Sequence, residues 1–145
     1  MAVSFVRKFR AGGGISRKGG NKAGKPEEDA QREIVKFLRR MKDHGLLLFF
    51  AVPTQLLRNK VLRVIYWALG VEPGIPDLVI LLRGGKTVFI ELKAARGTLS
   101  PDQKICHANL RAFGFEVATI HCPTPLDGLR RATEYLQAQG LQVQL

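Results

Sequence analysis

Acidic residues are scarce in this chain. Asp and Glu number 12 against 23 Lys and Arg over 145 residues, a net charge of +11. That imbalance disfavours cationic partners and favours polyanions, either nucleic acid or an acidic membrane surface. Cysteine is scarcer still. Cys106 and Cys122 are the only two, too few for a disulfide framework, so a reducing, intracellular setting is expected. No run of about 18 apolar residues occurs, so no transmembrane helix and no membrane partner are expected. The basic residues near the N-terminus do not lead into an apolar stretch with a small-residue cleavage site, so no secretory signal is expected. The remaining composition, 46% hydrophobic and 24% charged, is ordinary for one folded domain long enough to bury a core.

Residues 1–25 form a zone of their own. They hold seven basic residues, six glycines and no acidic residue. Neither a strand period nor a helix period is sustained, which predicts a flexible tail. The tail supplies +7 of the +11. It reads as a non-specific grip on phosphates through residues such as Lys18 and Lys22, rather than as a solubilising extension.

A domain is expected over 26–145. Pro26 and the acidic run Glu27-Glu28-Asp29 open a helix, Ala30, Ile34, Phe37, Leu38 and Met41 give it one apolar face, and Gly45 ends it. Leu46 to Val52 reads as a buried strand stopped by Pro53. Leu57, Val61, Val64, Ile65 and Ala68 predict a second amphipathic helix, with Tyr66 and Trp67 in the core and Arg58, Lys60 and Arg63 outside. Two apolar runs, Leu78–Leu82 and Thr87–Leu92, flank Gly84-Gly85 and read as a hairpin covered on both faces. Ser100-Pro101 starts a helix that Gly114 stops, Phe115–Ile120 is a strand, and Thr124-Pro125 opens a last helix to about Gln139. Leu141–Leu145 is a candidate short edge strand. The expected fold is α/β, a mixed sheet with helices on both faces.

The chemistry concentrates on the hairpin. Glu91 and Lys93 are two apart, so they share a face of their strand. Asp77 begins the partner strand. A plain two-residue turn at Gly84-Gly85 would pair Asp77 with Leu92 and turn it away from Glu91. An odd-length turn, or a bulge, would bring Asp77 opposite Glu91 or Lys93. Two convergent carboxylates supply oxygen ligands for Mg²⁺ or Mn²⁺. A lysine beside them can orient a water or meet charge on phosphorus. These are the parts of phosphodiester hydrolysis. The competing reading is a solvated ion-pair cluster. Against it, Glu91 ends an apolar strand, where an unpaired carboxylate is costly.

Several segments in order resemble one family. Gly74-Ile75-Pro76-Asp77-Leu78, Ile90-Glu91-Leu92-Lys93 and Gly97 to Gln103 are similar to motifs of the VRR-NUC nucleases. So is Glu28-x-x-Gln31 leading into Ile34, Val35 and Leu38. These nucleases are a branch of the PD-(D/E)xK restriction-endonuclease-like superfamily, and the resemblance covers about residues 27–122. It implies the αβββαβ core and metal-dependent DNA cleavage. It implies metal ligation by Asp77, Glu91 and the backbone carbonyl of Leu92, with Lys93 as the catalytic lysine. Gln103 would assist at the phosphate or the water, and Glu28 would reach the metal directly or through water. Small stand-alone members resemble junction resolvases and act as dimers, which implies branched DNA as substrate and a homodimer. The chain departs from the family where many small members carry an Asn near Val52–Gln55. Gln55 or Arg58 would take that place.

Other features carry less. Cys106-His107 and His121-Cys122 lack zinc-site spacing, and buried thiols are expected there. His107 shares a helix face with Gln103 and is expected at the surface. The basic face of Arg58, Lys60 and Arg63 is expected to meet a nucleic-acid backbone. Two rival functions stand beside a branched-DNA endonuclease: a nicking or restriction-like nuclease on linear duplex, and a nucleic-acid-binding module without catalysis.

Overall fold

The computed structural model describes residues 25–143. The elements run α1 (Pro26–Asp43), β1 (Leu47–Ala51), a 3-10 turn (Thr54–Arg58), α2 (Lys60–Ala68), β2 (Leu78–Leu82), β3 (Thr87–Ala94), α3 (Pro101–Ala112), β4 (Glu116–Cys122) and α4 (Pro125–Ala138). The sheet has the order β1-β2-β3-β4. Its first two pairings are antiparallel and the third, β3 with β4, is parallel. The mixed sheet and flanking helices expected from the sequence are present. The basic tail with Lys18 and Lys22 lies outside the described residues, as do the last two residues. Leu141 to Val143 form no strand.

The local chemistry explains most boundaries. Pro26 sits in the first turn of α1 beside three acidic residues, and Arg40 and Lys42 sit in its last turn, so both ends complement the helix dipole. Gly45 follows with φ +68°, which ends the helix without strain. Ser100 caps α3 with its side chain, and Thr124 caps α4 in the same way. The expected second helix divides in two. Asn59 accepts from the backbone N–H groups of Val61 and Leu62, so it caps α2 and ends the 3-10 turn.

α1 and α4 cover one face of the sheet. Ala30, Ile34 and Leu38 of α1 and Ala132 and Leu136 of α4 share a core with Leu78, Ile80, Val88, Ile90, Leu92 and Cys122. A Cβ on Gly128 would fall 2.8 Å from the sulfur of Cys122, so α4 approaches that closely only through glycine. On the other face α3 packs against β4. There Phe89 and Phe115 meet edge to face, 5.6 Å apart. Among the described residues, cover on this second face is incomplete. Leu48 and Phe50 of β1 are exposed, and α2 has no buried residue. Trp67, expected in the core, is 61% exposed, and Tyr66 is half-buried. α2 packs mainly on the 3-10 turn and not over the sheet.

Candidate active site

The hairpin register decides whether a site exists. Leu78 lies opposite Ile90 and Leu81 opposite Thr87. The N–H of Leu82 donates to the carbonyl of Lys86. The turn is therefore Arg83-Gly84-Gly85, an odd length. Both glycines have φ +84°, a value that disfavours a side chain. Continuing the register by one residue sets Asp77 opposite Glu91, on one face of the sheet.

Contacts hold the two carboxylates there. Asp77 Oδ2 accepts from the N–H of Leu92 at 2.9 Å, and its Oδ1 accepts from the Thr54 hydroxyl at 2.9 Å. In a strand the N–H and C=O of one residue point to the same edge, so the Leu92 carbonyl also faces Asp77. Glu91 is 1% exposed. Its Oε1 lies 2.9 Å from Lys93 Nζ and accepts from Gln103 Nε2 at 2.5 Å. Gln103 has a second task. Its Oε1 accepts from the N–H of Ser100 and its own N–H donates to Ser100 Oγ, which closes a capping box. With the amide oxygen committed to the cap, the amide nitrogen must face Glu91.

Gly74 brings these pieces together. Its φ is +77°, and a Cβ there would overlap the carbonyl of Asp102. The Gly74–Asp77 segment thus lies against the first turn of α3, which carries Gln103.

The site is poor in charge compensation. Burial raises the pKa of Asp77, opposed by the Leu92 N–H and the Thr54 hydroxyl. Glu91 is pushed up to about 7, first by burial and then by the Asp77 carboxylate, with Lys93 pulling the other way. Glu91 Oε2 is buried and has no hydrogen-bond partner among the described residues. A buried carboxylate oxygen without a donor is rare, because it forfeits the free energy of desolvation. A hard cation would satisfy it. Among the described residues no group of three or more His, Cys, Asp or Glu side chains is placed to hold a metal. A cation here would take two carboxylates and the Leu92 carbonyl, with water and substrate phosphate completing its shell, as Mg²⁺ accepts.

The cleft also contains Glu27, Gln31, Thr54 and Arg58. Its acidic residue from α1 is Glu27, not Glu28. Glu27 Oε1 accepts from the N–H of Ala94 at 2.6 Å. Glu28 lies on the outer flank of α1 with Arg32 and Arg39, 3.8 Å from Lys25 Nζ. Helical geometry explains the difference. Residue 27 stands three and seven places before the fully buried Ala30 and Ile34, whereas residue 28 is turned about 100° outward. Counting back from the apolar face would have found it. Thr54 carries no comparable signal, because no spacing links it to Asp77. Arg58 reaches the cleft, while Lys60 and Arg63 are exposed on α2. The side chain of Gln55 lies outside the described residues.

His107 is buried, at 1% exposure, not at the surface as expected. It lies two turns into α3, and neither ring nitrogen has a partner among the described residues.

The VRR-NUC domain model matches residues 25–122. The chain belongs to the VRR-NUC family. It therefore has a nuclease fold, with DNA as the implied substrate. No curated protein and no solved structure matches the chain. Within this VRR-NUC domain the separate motifs of the sequence become one place: Asp77, Glu91, Lys93 and Gln103 border a single cleft. No helix among the described residues is long and apolar enough to cross a membrane.

Proposed function

We propose that this VRR-NUC protein is a divalent-metal-dependent DNA endonuclease that hydrolyses phosphodiester bonds in branched DNA, such as four-way junctions, as a homodimer. The observation that carries the metal reading is the buried Glu91 carboxylate, with one oxygen unpartnered among the described residues, beside a second buried carboxylate on Asp77. Asp77, Glu91 and the Leu92 carbonyl would hold Mg²⁺ or Mn²⁺. Bound there, the cation supplies Lewis-acid polarisation of the scissile phosphate and makes water a better nucleophile.

The remaining work falls to side chains. Lys93, ion-paired to Glu91 and 14% exposed, presents its ammonium to the cleft. It orients the attacking water or offsets charge developing on phosphorus. Gln103 fixes the Glu91 rotamer from a capped helix end. Thr54 and the Leu92 N–H fix Asp77. Glu27 ties α1 to the end of β3. Arg58 meets a flanking phosphate at the cleft. One such cleft cuts one strand. Paired nicks across a junction need two clefts related by symmetry, hence a homodimer.

The test is cleavage of end-labelled linear duplex, flap and four-way DNAs with Mg²⁺, Mn²⁺ or EDTA. The wild type is compared with Asp77→Ala and Lys93→Ala. Metal-dependent products that both substitutions abolish support the reading. Preference for linear duplex would replace the junction substrate with a nicking or restriction-like one. Binding without products under every metal would leave only a binding module.

A further inference from the structure

The cleft that holds Asp77 and Glu91 does not end at its own wall. Gln31 of α1 lines it, and the same residue lines an open groove of about 430 Å³ on the outer flank of α1. Glu28, Arg32, Val35, Lys36 and Arg39 complete the groove. Residues 28, 32, 35 and 39 follow the spacing i, i+4, i+7, i+11, so the groove runs along the helix axis. Arg32, Lys36 and Arg39 stand one, five and eight residues beyond Gln31, which sets them along about 12 Å of helix. All three are exposed. Arg32 and Lys36 pair with Asp29 and Glu33 at 2.9 and 2.6 Å, but both pairs are exposed and internal to α1, so they exchange readily for another anion. Arg39 is in no ion pair among the described residues. Val35, half-buried against the core, gives the cationic stems an apolar surface to lie on.

The chemistry of the groove selects its ligand. Three cations in a row face one acid, Glu28, which already has Lys25 at 3.8 Å. A ligand of repeating negative charge fits that row. An anionic membrane would also need apolar side chains to take up, and the groove offers only Val35. An acidic peptide would run into the Asp77 and Glu91 carboxylates where the groove meets the cleft. A duplex strand presents a phosphate about every 3.4 Å along its axis. The three cations therefore span about three phosphates, and a strand that leaves the cleft past Gln31 enters the groove directly.

We propose that Arg32, Lys36 and Arg39 form a phosphate track on α1, which holds the backbone of the DNA arm running out of the cleft. The choice of DNA rests on the proposed nuclease reading, whereas the position and charge of the track do not. Unlike Arg58, which lies in the cleft, these side chains meet phosphates away from the scissile one. They act whether or not a metal is bound.

The salt dependence of DNA binding by the full chain tests it, with labelled linear duplex and four-way junction in EDTA from about 50 to about 200 mM salt. Lys36→Gln/Arg39→Gln is compared with Arg40→Gln/Arg130→Gln, which removes the same charge from exposed positions off the groove. The basic residues of 1–25 are common to all and cancel in the comparison. Losing two phosphate contacts should flatten the slope of log K against log salt by about 2, so affinity falls about tenfold less across that range. Adding Arg32→Gln should flatten it by about one more. The off-groove pair should keep the wild-type slope. All these positions are exposed, so circular dichroism should remain that of a folded protein. A groove variant with the wild-type slope overturns the proposal. So does an off-groove variant that loses as much, because net charge alone would then account for both. A wild type that binds vesicles of anionic lipid but neither DNA also overturns it. Cleavage with Mg²⁺ or Mn²⁺ assayed alongside separates the two readings. Metal-dependent cleavage with an unaltered slope in the groove variant overturns the track alone. The expected slopes without metal-dependent products support the track and overturn the nuclease alone.

Discussion

Glu91→Gln should make the metal-free protein more stable while abolishing its activity. The Glu91 carboxylate is buried against Asp77, and its pKa rises from an ordinary 4.5 to about 7. The stability attached to its proton is therefore complete below pH about 4.5 and is lost as the pH rises to about 7. Gln is a permanent stand-in for the protonated acid. Its advantage over Glu should grow by about 1.4 kcal/mol per pH unit across that window and flatten above it. The full effect is of order 3 kcal/mol, or roughly 10 °C in melting midpoint for a domain of this size.

Urea unfolding followed by circular dichroism at pH 4.5, 6 and 8 in EDTA measures the difference directly. Other titrating groups largely cancel between the two proteins. Excess Mg²⁺ at pH 8 should then stabilise the wild type and not the variant, because only the carboxylate gains from the cation. A stability difference independent of pH would refute the reasoning. So would a variant less stable than wild type at pH 8. Either result would mean that the Glu91–Lys93 pair compensates the burial, and that the unpartnered Oε2 does not signal a missing ligand.

Four further outcomes follow from the same geometry. Gly74→Ala should cost about 2 kcal/mol or more in urea unfolding and reduce cleavage, since both its φ and the Asp102 carbonyl exclude a side chain; unchanged stability would mean that the Gly74–Asp77 segment does not rest on α3. Gln103→Glu keeps the capping box but places a third carboxylate on Glu91, so stability at pH 5 should hold while cleavage at pH 7 falls by about 10²-fold. Thr54→Val removes one hydrogen bond from Asp77 and should cost about 1 kcal/mol, with metal affinity falling further than stability alone requires. His107→Met concerns a ring whose pKa burial lowers, with Arg111 and Lys93 acting in the same direction. Wild-type stability from this group is present above pH about 6.5 and lost as the pH falls, so the variant should gain relative stability at pH 5.5 and little at pH 8.

The element order and the cleft's principal residues were legible because they rest on local signals. Proline and acidic residues mark the start of α1, and Ser100-Pro101 and Thr124-Pro125 mark α3 and α4. The motif residues follow in the order of a known family. Side-chain placement was legible only where the periodic face was counted with care. Glu27 and Glu28 are adjacent acids in the first turn of α1, and only the turn of the helix relative to Ala30 and Ile34 separates the one at the cleft from the one on the outer flank of the helix. Trp67 and His107 were misread for a common reason. Size and polarity argue for burial of the first and exposure of the second, but burial depends on what packs over each helix. Among the described residues no element covers the outer side of α2, and α3 lies against the sheet.

The hairpin shows how a local signal can decide a distant property. The sequence leaves two turn lengths open around Gly84-Gly85. They differ by one residue, yet with a side-chain period of two that residue determines which face of the sheet carries Asp77. The three-residue turn lies at the opposite end of the hairpin from the carboxylates, and it is what sets Asp77 opposite Glu91. Lys93 then falls on the same face by alternation, and Gln103 reaches that face because the Ser100 cap fixes its amide. Each step follows from backbone geometry. Convergence of the four side chains is therefore a consequence of the register, and the energetic cost concentrated on Glu91 is what that register imposes when no cation is bound.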